Sequence, residues 1–328
     1  MPPCIYDLHT HTFLCRHAEV VMPRVYFKLA SEMGYRGVAY CCHCPFPGNA
    51  VTPAYRMAIE DFDIFMLMFE REREFAATHL PDLDITLNME VDYVPAHPQL
   101  THEFITKYMG EFDCVVGSLH YYELMGGRTN LTHLSFVEQY FKEWRKALRT
   151  GWFNVMAHMD FYKVILGVPW VKQHRKETNR FAFAALDDMA EYNASRAAQG
   201  LDPVVLEVNT GGVQYNDDFL PTESILEYAA SKGIPMCLSS DCHFTPEIGR
   251  NFGGALRCLK RLGVTKLCYF KKKRLHTYSL DEALASFKEI NCAKRSSELK
   301  ADPVYGVSVQ DQVDEMNDEL NKRAFHKR

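Results

Sequence analysis

Seven short apolar runs, each followed by a longer amphipathic segment, constrain the fold of this chain more than any other feature of its sequence. The runs are Cys4–Leu8, Gly37–Cys41, Ile85–Val91, Cys114–Val116, Phe153–Ala157, Val204–Val208 and Met236–Ser239, with Lys266–Phe270 as an eighth candidate. Short apolar runs of this kind are typical of buried strands. Strands that alternate with helices predict a mostly parallel sheet, either open and doubly wound or closed into a barrel.

Two of the intervening segments have the periodicity of amphipathic helices. The apolar positions are Phe62, Phe65, Met66 and Phe69 in the first segment and Phe136, Tyr140, Phe141, Trp144 and Leu148 in the second. Gly151 and Gly233 stand where helix-ending glycines belong, and Thr222 is a candidate N-cap before ESILEYAASKG. We predict a barrel domain over residues 1–290, followed by a charged extension, 291–328, that is a helix or a loose tail.

Composition limits the classes of protein that this chain can be. Its 328 residues are 47% hydrophobic and 24% charged, as in soluble globular proteins, and the net charge of −5 provides no positive field for nucleic acid. No apolar stretch approaches the roughly 20 residues that cross a bilayer. The first residues, MPPCIYDLHTHT, lack the pattern of a signal peptide, and eleven cysteines are an odd number. We therefore expect a cytoplasmic protein that binds neither nucleic acid nor membrane.

Side chains that can bind metals lie at or just after the end of every one of the seven runs. In chain order they are His9, His11 and His17; His43; Glu90; His120; His158; Glu207 and Asn209; and Asp241 and His243. In a β/α barrel the carboxyl ends of the strands share one face, and that face holds the active site. The sequence therefore predicts that these side chains meet in one basin.

The mixture of imidazoles and carboxylates is typical of metal chemistry. Neutral imidazole and carboxylate suit Zn²⁺, Fe²⁺ and Mn²⁺, and neighbouring ions can share a carboxylate. Seven histidines with Glu90 and Asp241 make nine ligands, too many for one tetrahedral ion, so we infer at least two metals. Two close metals can clamp an in-line phosphoryl displacement. If the nine groups were buried without ligands, each unsatisfied group would cost about 1–3 kcal/mol.

Simpler interpretations of single residues were weighed against this one. A lone histidine such as His120 is more often hydrogen-bonded than metal-bound, so the signal is the coincidence of so many residues with strand ends. Cys41, Cys42 and Cys44 flank His43, but no second cysteine pair at structural-zinc spacing accompanies them, and we interpret them as buried strand-end thiols. The basic run 271–274 is interpreted as a solvated edge rather than a nucleic-acid patch.

These residues resemble the motifs of the polymerase and histidinol phosphatase (PHP) superfamily, and most of all its histidinol-phosphate phosphatases. The matching segments stand in family order between Tyr6 and Arg274. They are DLHTHTFLCRHAE, YCCHCPF, LNMEVDYVP, FDCVVGSLHYY, FNVMAHMDFYK, LEVNTGG, LSSDCHFTPEIGR and YFKKKR. The resemblance implies an α/β fold, a distorted seven-stranded (β/α)7 TIM-like barrel, that holds three divalent ions of zinc, iron or manganese.

The resemblance also implies how the ligands are shared among the three ions. One ion would take His9, His11, Glu90 and Asp241; Glu90 would bridge to a second held by His120 and His158; and a third would take His17, His43 and His243. The implied activity is hydrolysis of a small phosphomonoester by attack of a metal-bridging hydroxide. L-histidinol phosphate is the leading candidate for this substrate.

Roles for individual residues follow from this reaction. Asp241, Glu90 and His243 form the expected catalytic set, with Asp241 relaying a proton to the leaving alcohol. Arg16 and Lys163 are expected to contact the phosphate of the small phosphorylated substrate. Glu207 and Asn209 are expected to meet its ammonium group.

The sequence leaves other functions open. Arg16 before His17, the cysteine-rich second motif and the segment Val164–Lys176 depart from the family pattern, so the substrate can be another small phosphorylated metabolite. A nuclease is disfavoured by the negative charge, and a non-catalytic metal-binding protein is disfavoured by the complete ligand set. The sequence does not specify the oligomeric state.

Overall fold

Seven parallel strands form one sheet in this protein, in the order in which they occur in the sequence. The structure is a computed structural model that describes residues 2–46, 51, 53–120, 133–213 and 218–326. The strands are β1 Ile5–Asp7, β2 Tyr35–Tyr40, β3 Asp84–Asp92, β4 Cys114–Ser118, β5 Val155–Met156, β6 Val205–Asn209 and β7 Met236–Ser239. Every residue of β4, β6 and β7 is buried, which explains why these strands are apolar runs rather than alternating ones.

The sheet curls until its first and last strands meet. Beyond the strand ends, the backbone N–H of Asp241 donates to the carbonyl of His9 at 2.8 Å, and that of His11 donates to the carbonyl of Cys242 at 2.9 Å. Thr10 and Cys242 form a parallel bridge between them. The sheet is therefore nearly closed, and the predicted distorted seven-stranded β/α barrel is confirmed.

Helices connect successive strands and pack on the outside of the barrel. In the described part of the chain they are α1 Arg24–Glu32, α2 Phe62–His79, α3 Pro98–Tyr108, α4 His133–Arg149, α5 Tyr162–Leu166, α6 Val168–Gln173, α7 Arg175–Ala198, α8 Glu223–Ser231, α9 Phe252–Arg261, α10 Leu280–Ser286, α11 Cys292–Ala301 and α12 Val309–His326. The predicted apolar stripe of α4 is confirmed, since all five of its marked residues are buried. None of the described helices combines the length and apolar character that a membrane span requires.

The eighth apolar run does not join the barrel. It forms β8, Lys266–Lys271, which pairs antiparallel with β9, Arg274–Ser279, in a separate hairpin. The ring of Tyr269 stacks on Tyr6 of β1 at a centroid distance of 3.7 Å, and Lys271 pairs with Asp84 at the start of β3 at 2.9 Å. The hairpin thus packs where strands begin, away from their carboxyl ends.

The predicted extension, 291–328, contains α11 and α12, and both helices contact the barrel. Arg295 of α11 pairs with Glu32 of α1 at 2.8 Å, and Lys300 pairs with Glu19. In α12, Glu319 accepts a hydrogen bond from Arg71 of α2 at 2.7 Å. The extension is therefore helical and packed, while its separation from the barrel at residue 290 stays a prediction.

Candidate active site

The carboxyl ends of the strands bring the predicted ligand residues together at one face of the barrel. We call them the histidine cluster: His9, His11, His17, His43, Glu90, His120, His158, Asp241 and His243. The ring centroid of His11 lies 4.9 Å from that of His9, 4.4 Å from His43 and 4.0 Å from His243. Six members of the cluster are buried, whereas His17, Asp241 and His243 are half-buried and face the solvent side.

The Glu90 carboxylate lies at the centre of the cluster, because β3 extends further than its neighbours and carries this residue to the strand ends. Its Oε2 atom lies 2.7 Å from His43 Nδ1, 3.2 Å from His9 Nε2 and 3.6 Å from His11 Nε2. Its Oε1 atom lies 3.1 Å from His158 Nε2 and 3.7 Å from His120 Nε2. Glu90 therefore faces five imidazoles and can bridge two groups of them.

Burial and charge set the protonation of the cluster. Burial lowers the pKa of His43 to about 4 and that of His243 to about 3, which leaves both rings neutral at pH 7. Burial alone would raise the pKa of Glu90, but the attraction of His43 and His9 outweighs it and holds that pKa well below its usual range. Burial opposes protonation of His9, His11 and His158, but the neighbouring carboxylates outweigh it and raise the pKa of each ring, that of His11 to about 9. Transition metals bind neutral imidazoles and ionised carboxylates, so metal binding would release protons from the cluster.

Several buried atoms of the cluster have no hydrogen-bond partner, which tests whether metal ions fit there. They are His11 Nδ1, His43 Nδ1, Glu90 Oε2, His158 Nδ1 and His243 Nε2. His43 Nδ1 and Glu90 Oε2 are only 2.7 Å apart, yet they are not oriented to hydrogen-bond with each other. A cation between such atoms would bind both lone pairs. The buried His/Asp/Glu cluster is therefore compatible with a multi-metal site.

Two members of the cluster have left-handed backbone conformations. The φ angle is 22° at His158 and 50° at Asp241. Such conformations cost of order 1–3 kcal/mol in non-glycine residues and persist where surrounding contacts fix them. The backbone N–H of His158 donates to Glu207 at 2.7 Å, and that of Asp241 donates to the carbonyl of His9. These contacts direct both side chains into the cluster.

Glu207 and Asn209, which we predicted to bind substrate, lie behind the cluster and contact its members. Glu207 Oε1 lies 2.8 Å from His9 Nδ1 and accepts a bond from the Ser239 hydroxyl at 2.6 Å. The Asn209 amide donates to Glu207 Oε2 at 3.1 Å and to Asp241 Oδ2 at 3.0 Å. Both residues are fully buried, so these contacts indicate that they orient His9 and Asp241, and their substrate role stays a prediction.

The two predicted phosphate-binding cations form their ion pairs with residues outside the histidine cluster. Lys163 is buried in α5, and its ammonium group donates to the Phe219 carbonyl at 2.7 Å and the Thr222 hydroxyl at 2.8 Å and lies 3.0 Å from Asp160 Oδ2. Three oxygen atoms thus match its three protons. Arg16 is exposed and lies 3.8 Å from Asp61. The buried contacts of Lys163 favour a structural role for that residue, whereas the exposed pair of Arg16 contributes little to stability, and the phosphate contact of each residue stays a prediction.

The predicted position of Thr222 is confirmed. It does occupy the N-cap position of α8, but its side chain makes no capping hydrogen bond. Its hydroxyl instead donates to Asp160 at 2.8 Å and accepts from Lys163, and thereby takes part in this buried ion pair.

Asp92 is a site residue that the sequence analysis missed. Its Oδ1 atom lies 2.5 Å from His120 Nδ1, and its Oδ2 atom accepts a bond from Arg56 at 3.0 Å. The sequence could have predicted it, because Asp92 follows Glu90 by two positions and alternate residues of a strand share a face. A carboxylate on Nδ1 fixes the ring tautomer and leaves His120 Nε2 to face Glu90.

A pocket of about 370 Å³ opens above the cluster. Its floor is formed by cluster residues, and its walls and mouth include Tyr55, Phe161, Val164, Phe244 and Arg250. Arg250, another residue that the sequence analysis did not single out, pairs with Glu247 at 2.6 Å. Val164 belongs to the unusual segment Val164–Lys176, which therefore contributes to the pocket. Among the described residues, the site thus combines a polar floor with aromatic walls and the guanidinium group of Arg250.

Potential metal-binding groups can be recognised among these residues by the proximity of their ligand atoms. Within each group the ligand atoms all lie within 4.8 Å of one another. Those groups are His9–His11–Asp241, Glu90–His120–His158, His11–His43–His243, Cys15–His17–His243 and His11–Cys15–Cys42. The first group contains three of the four residues implied for the first ion, without Glu90, and the second contains the three implied for the second ion, while the assignment of both ligand sets stays a prediction. The implied third set, His17 with His43 and His243, is divided between two groups and stays a prediction.

Comparison with known proteins gives consistent matches. The model of the family described as PHP domain matches residues 7–211. A Deinococcus radiodurans protein named "Probable histidinol-phosphatase" is 29% identical over 283 residues, covering 81% of this chain and 97% of its own length. A Schizosaccharomyces pombe protein of the same name is 21% identical over 294 residues, covering 80% of this chain and 89% of its own.

A solved structure has a similar fold. Histidinol phosphate phosphatase from Lactococcus lactis, in complex with zinc, L-histidinol and phosphate, superimposes with a TM-score of 0.61 at 17% identity. The match covers 83% of this chain and 98% of the other. At this identity the comparison shows the fold, which agrees with the barrel described above.

Proposed function

Because the chain belongs to the PHP domain family, we propose that it is a metal-dependent phosphatase that hydrolyses L-histidinol phosphate to L-histidinol and phosphate. The family assignment confirms the resemblance seen in the sequence. Two relatives that align with about four fifths of the chain are named as histidinol-phosphatases. The substrate is a small phosphorylated molecule, and a pocket of about 370 Å³ lies within the range of small-molecule sites.

One observation carries this proposal: five imidazoles converge on the Glu90 carboxylate at the floor of a pocket. Glu90, His120, His158, Asp241 and His243 all line that pocket, so a ligand bound there meets the cluster directly. A merely structural zinc site would have all of its coordination positions filled by protein ligands. The open floor favours catalysis.

We assign three divalent ions of zinc, iron or manganese to the cluster, with the ligand sets that the family resemblance implies. The first two sets are supported by the groups His9–His11–Asp241 and Glu90–His120–His158, with Glu90 between them. When bound, such ions acidify water and neutralise negative charge on a phosphoryl group. Burial of the six innermost cluster residues keeps that chemistry away from bulk solvent.

Side chains at the pocket wall are expected to bind the phosphate of the substrate. Arg250 contributes a guanidinium group to the lining formed by the described residues, and its planar fork suits bidentate contact with phosphoryl oxygens. Glu247 holds this guanidinium at 2.6 Å and also accepts a bond from the backbone N–H of His243 at 3.0 Å. Arg250 is therefore positioned relative to the cluster, and we assign it the phosphate contact.

Asp241 is our choice for the proton transfer to the leaving alcohol. Its carboxylate is partly exposed to the pocket, where Oδ1 lies 3.0 Å from His11 Nε2. Asn209 holds Oδ2 from behind at 3.0 Å, which fixes the plane of the carboxylate.

The aromatic rings of Tyr55 and Phe244 at the mouth of the pocket suit the flat organic part of the substrate.

The proposal is tested by phosphate release from a panel of phosphomonoesters with Mn²⁺, Zn²⁺ or Fe²⁺. The panel contains L-histidinol phosphate, other amino-alcohol phosphates, sugar phosphates and nucleotides, with single-stranded DNA as a nuclease substrate. We expect the highest kcat/KM for L-histidinol phosphate and its loss in Glu90→Gln. Glu103→Gln, an exposed carboxylate variant on α3, serves as the matched control and retains activity. Equal or higher activity on another phosphomonoester would refute the substrate, and no hydrolysis with any metal would refute the function.

We also propose a cytoplasmic location. All eleven cysteines are free thiols in the structure, and nine of them are buried. Chains of this cysteine content without disulfides are typical of reducing compartments. Fractionation of cells with a specific antibody tests this location, and recovery outside the cytoplasmic fraction would contradict it.

A further inference from the structure

A buried thiol, that of Cys15, lies beside His17 and His243, two of the three residues expected to hold the third metal ion. Cys15 ends a short 3-10 helix, Phe13–Cys15, and its side chain is fully buried. The next residue, Arg16, has a φ of 70°, and this left-handed turn brings His17 back towards the thiol. Cys15 Sγ and one ring nitrogen each of His17 and His243 all lie within 4.8 Å of one another.

Hydrogen bonds prepare both imidazoles of this group for metal binding through the same atom. His17 Nδ1 lies 2.9 Å from the carbonyl of Cys15, and His243 Nδ1 lies 3.1 Å from the carbonyl of Asp241. A carbonyl can only accept, so both Nδ1 atoms carry the proton and both Nε2 atoms keep a lone pair. His243 Nε2 is buried without a hydrogen-bond partner.

His43 is placed less well for this set. Its Nδ1 atom lies 2.7 Å from Glu90 Oε2, and its ring centroid lies 5.3 Å from that of His17 and 6.1 Å from that of His243. The His17 and His243 centroids are only 4.3 Å apart. His43 groups with His11 and His243 but not with His17, whereas the thiol of Cys15 groups with both His17 and His243, so Cys15 is the better third partner for this pair.

We propose that Cys15 is a thiolate ligand of the third metal ion, together with Nε2 of His17 and of His243. The proposal rests on the assignment of metal ions to the cluster. A thiolate with two imidazoles selects Zn²⁺ or Fe²⁺ over Mn²⁺ and Mg²⁺, since the latter prefer oxygen ligands. The third site therefore differs in metal preference from the sites around Glu90, whose ligands are imidazole and carboxylate.

Cobalt substitution tests the proposal without an activity assay. Co²⁺ that binds a thiolate gives a near-ultraviolet charge-transfer band, which imidazole and carboxylate ligands do not give. We expect the band in the Co²⁺-loaded wild-type protein and its loss in Cys15→Ser. Cys42→Ser is the matched control, because Cys42 is a buried thiol within 4.8 Å of Cys15 but is not grouped with His17 and His243. This control should keep the band.

The outcomes separate this inference from the proposed function. Absence of the band in fully loaded wild-type protein would overturn the inference, and this result does not depend on whether any variant folds. Loss of the band in Cys42→Ser with retention in Cys15→Ser would also overturn it. An active phosphatase without the band would refute the thiolate ligand alone. A protein with the band but without phosphatase activity would refute the proposed function alone.

Discussion

Replacing Glu207 by glutamine should weaken metal binding through the tautomer of His9. The carboxylate accepts from the His158 backbone N–H and the Asn209 amide at Oε2, and from the Ser239 hydroxyl and His9 Nδ1 at Oε1. The amide of Asn209 is fixed in orientation, because its own oxygen accepts a bond from the backbone of Gly211 at 2.9 Å. Both donors at Oε2 are therefore obligatory.

Glutamine must then place its NH2 group on the side of His9 and Ser239. The Ser239 hydroxyl can rotate and accept a hydrogen bond from this NH2 group. His9 Nδ1 can accept one only if it loses its own proton. The ring would then carry the proton on Nε2, the atom that faces Glu90 and Asp241. Changes to residues that orient metal ligands typically reduce metal affinity or activity by about 10–100-fold, which corresponds to roughly 1.4–2.7 kcal/mol.

The measurement is the zinc dissociation constant in the absence of substrate, obtained by competition with a coloured chelator, together with kcat and KM. Ser239→Ala is the matched control, because it removes a hydrogen bond to the same carboxylate without changing the tautomer of His9. We expect a change of less than threefold in the control. Zinc affinity in Glu207→Gln within threefold of wild type, with a raised KM, would refute this reasoning and restore Glu207 as a substrate-binding residue.

Three other predictions address stability. Lys163→Met should destabilise the protein by about 3–5 kcal/mol in denaturant unfolding, because it leaves the Asp160 carboxylate buried without its cation; an unchanged midpoint with a raised KM would instead support a phosphate contact. At Asp84, burial raises the pKa, but hydrogen bonds from Lys271 and Tyr6 outweigh it and lower the pKa below 3.8. The stability that this depressed pKa provides is present above the pKa of the unfolded state and is lost as the pH falls through the pKa of the folded state. Asp84→Asn should therefore lose less stability than wild type as the pH is lowered. An equally steep loss of stability in the variant would contradict this. Chelation should lower the thermal midpoint, and zinc at 100 times its Kd should restore about 2.7 kcal/mol; a midpoint insensitive to both would exclude tight binding to the native state.

The sequence predicted those parts of the fold and the site that depend on strand ends. The carboxyl ends of parallel strands lie on one face, so the positions of His9, Glu90 and Asp241 after or within apolar runs are enough to predict that they meet. The stripe of α4 was equally predictable, because helical periodicity is local. The near closure of the barrel required only that the segments after β1 and β7 meet.

Other features depend on contacts between distant segments and could not be predicted. Lys163 is matched by oxygen atoms from Phe219 and Thr222, more than fifty positions away in sequence. Whether a buried ammonium faces a pocket or a neighbouring loop is decided by packing, which periodicity does not describe. For the same reason, the grouping of His17 with Cys15 rather than His43 depends on one left-handed residue, Arg16.

Joining of the barrel's ends has a consequence for how the protein is made on the ribosome. β1 is synthesised before the other strands, but the segment after β7, which bonds to the segment after β1, emerges only after the residues up to Ser239 have been translated. The loop that carries His17 can form its final contacts only later still, because Glu19 in this loop pairs with Lys300 of α11. The cluster formed by residues from His9 to His243 is therefore expected to be complete only after the chain up to Lys300 has been synthesised, and metal loading is expected to follow that point.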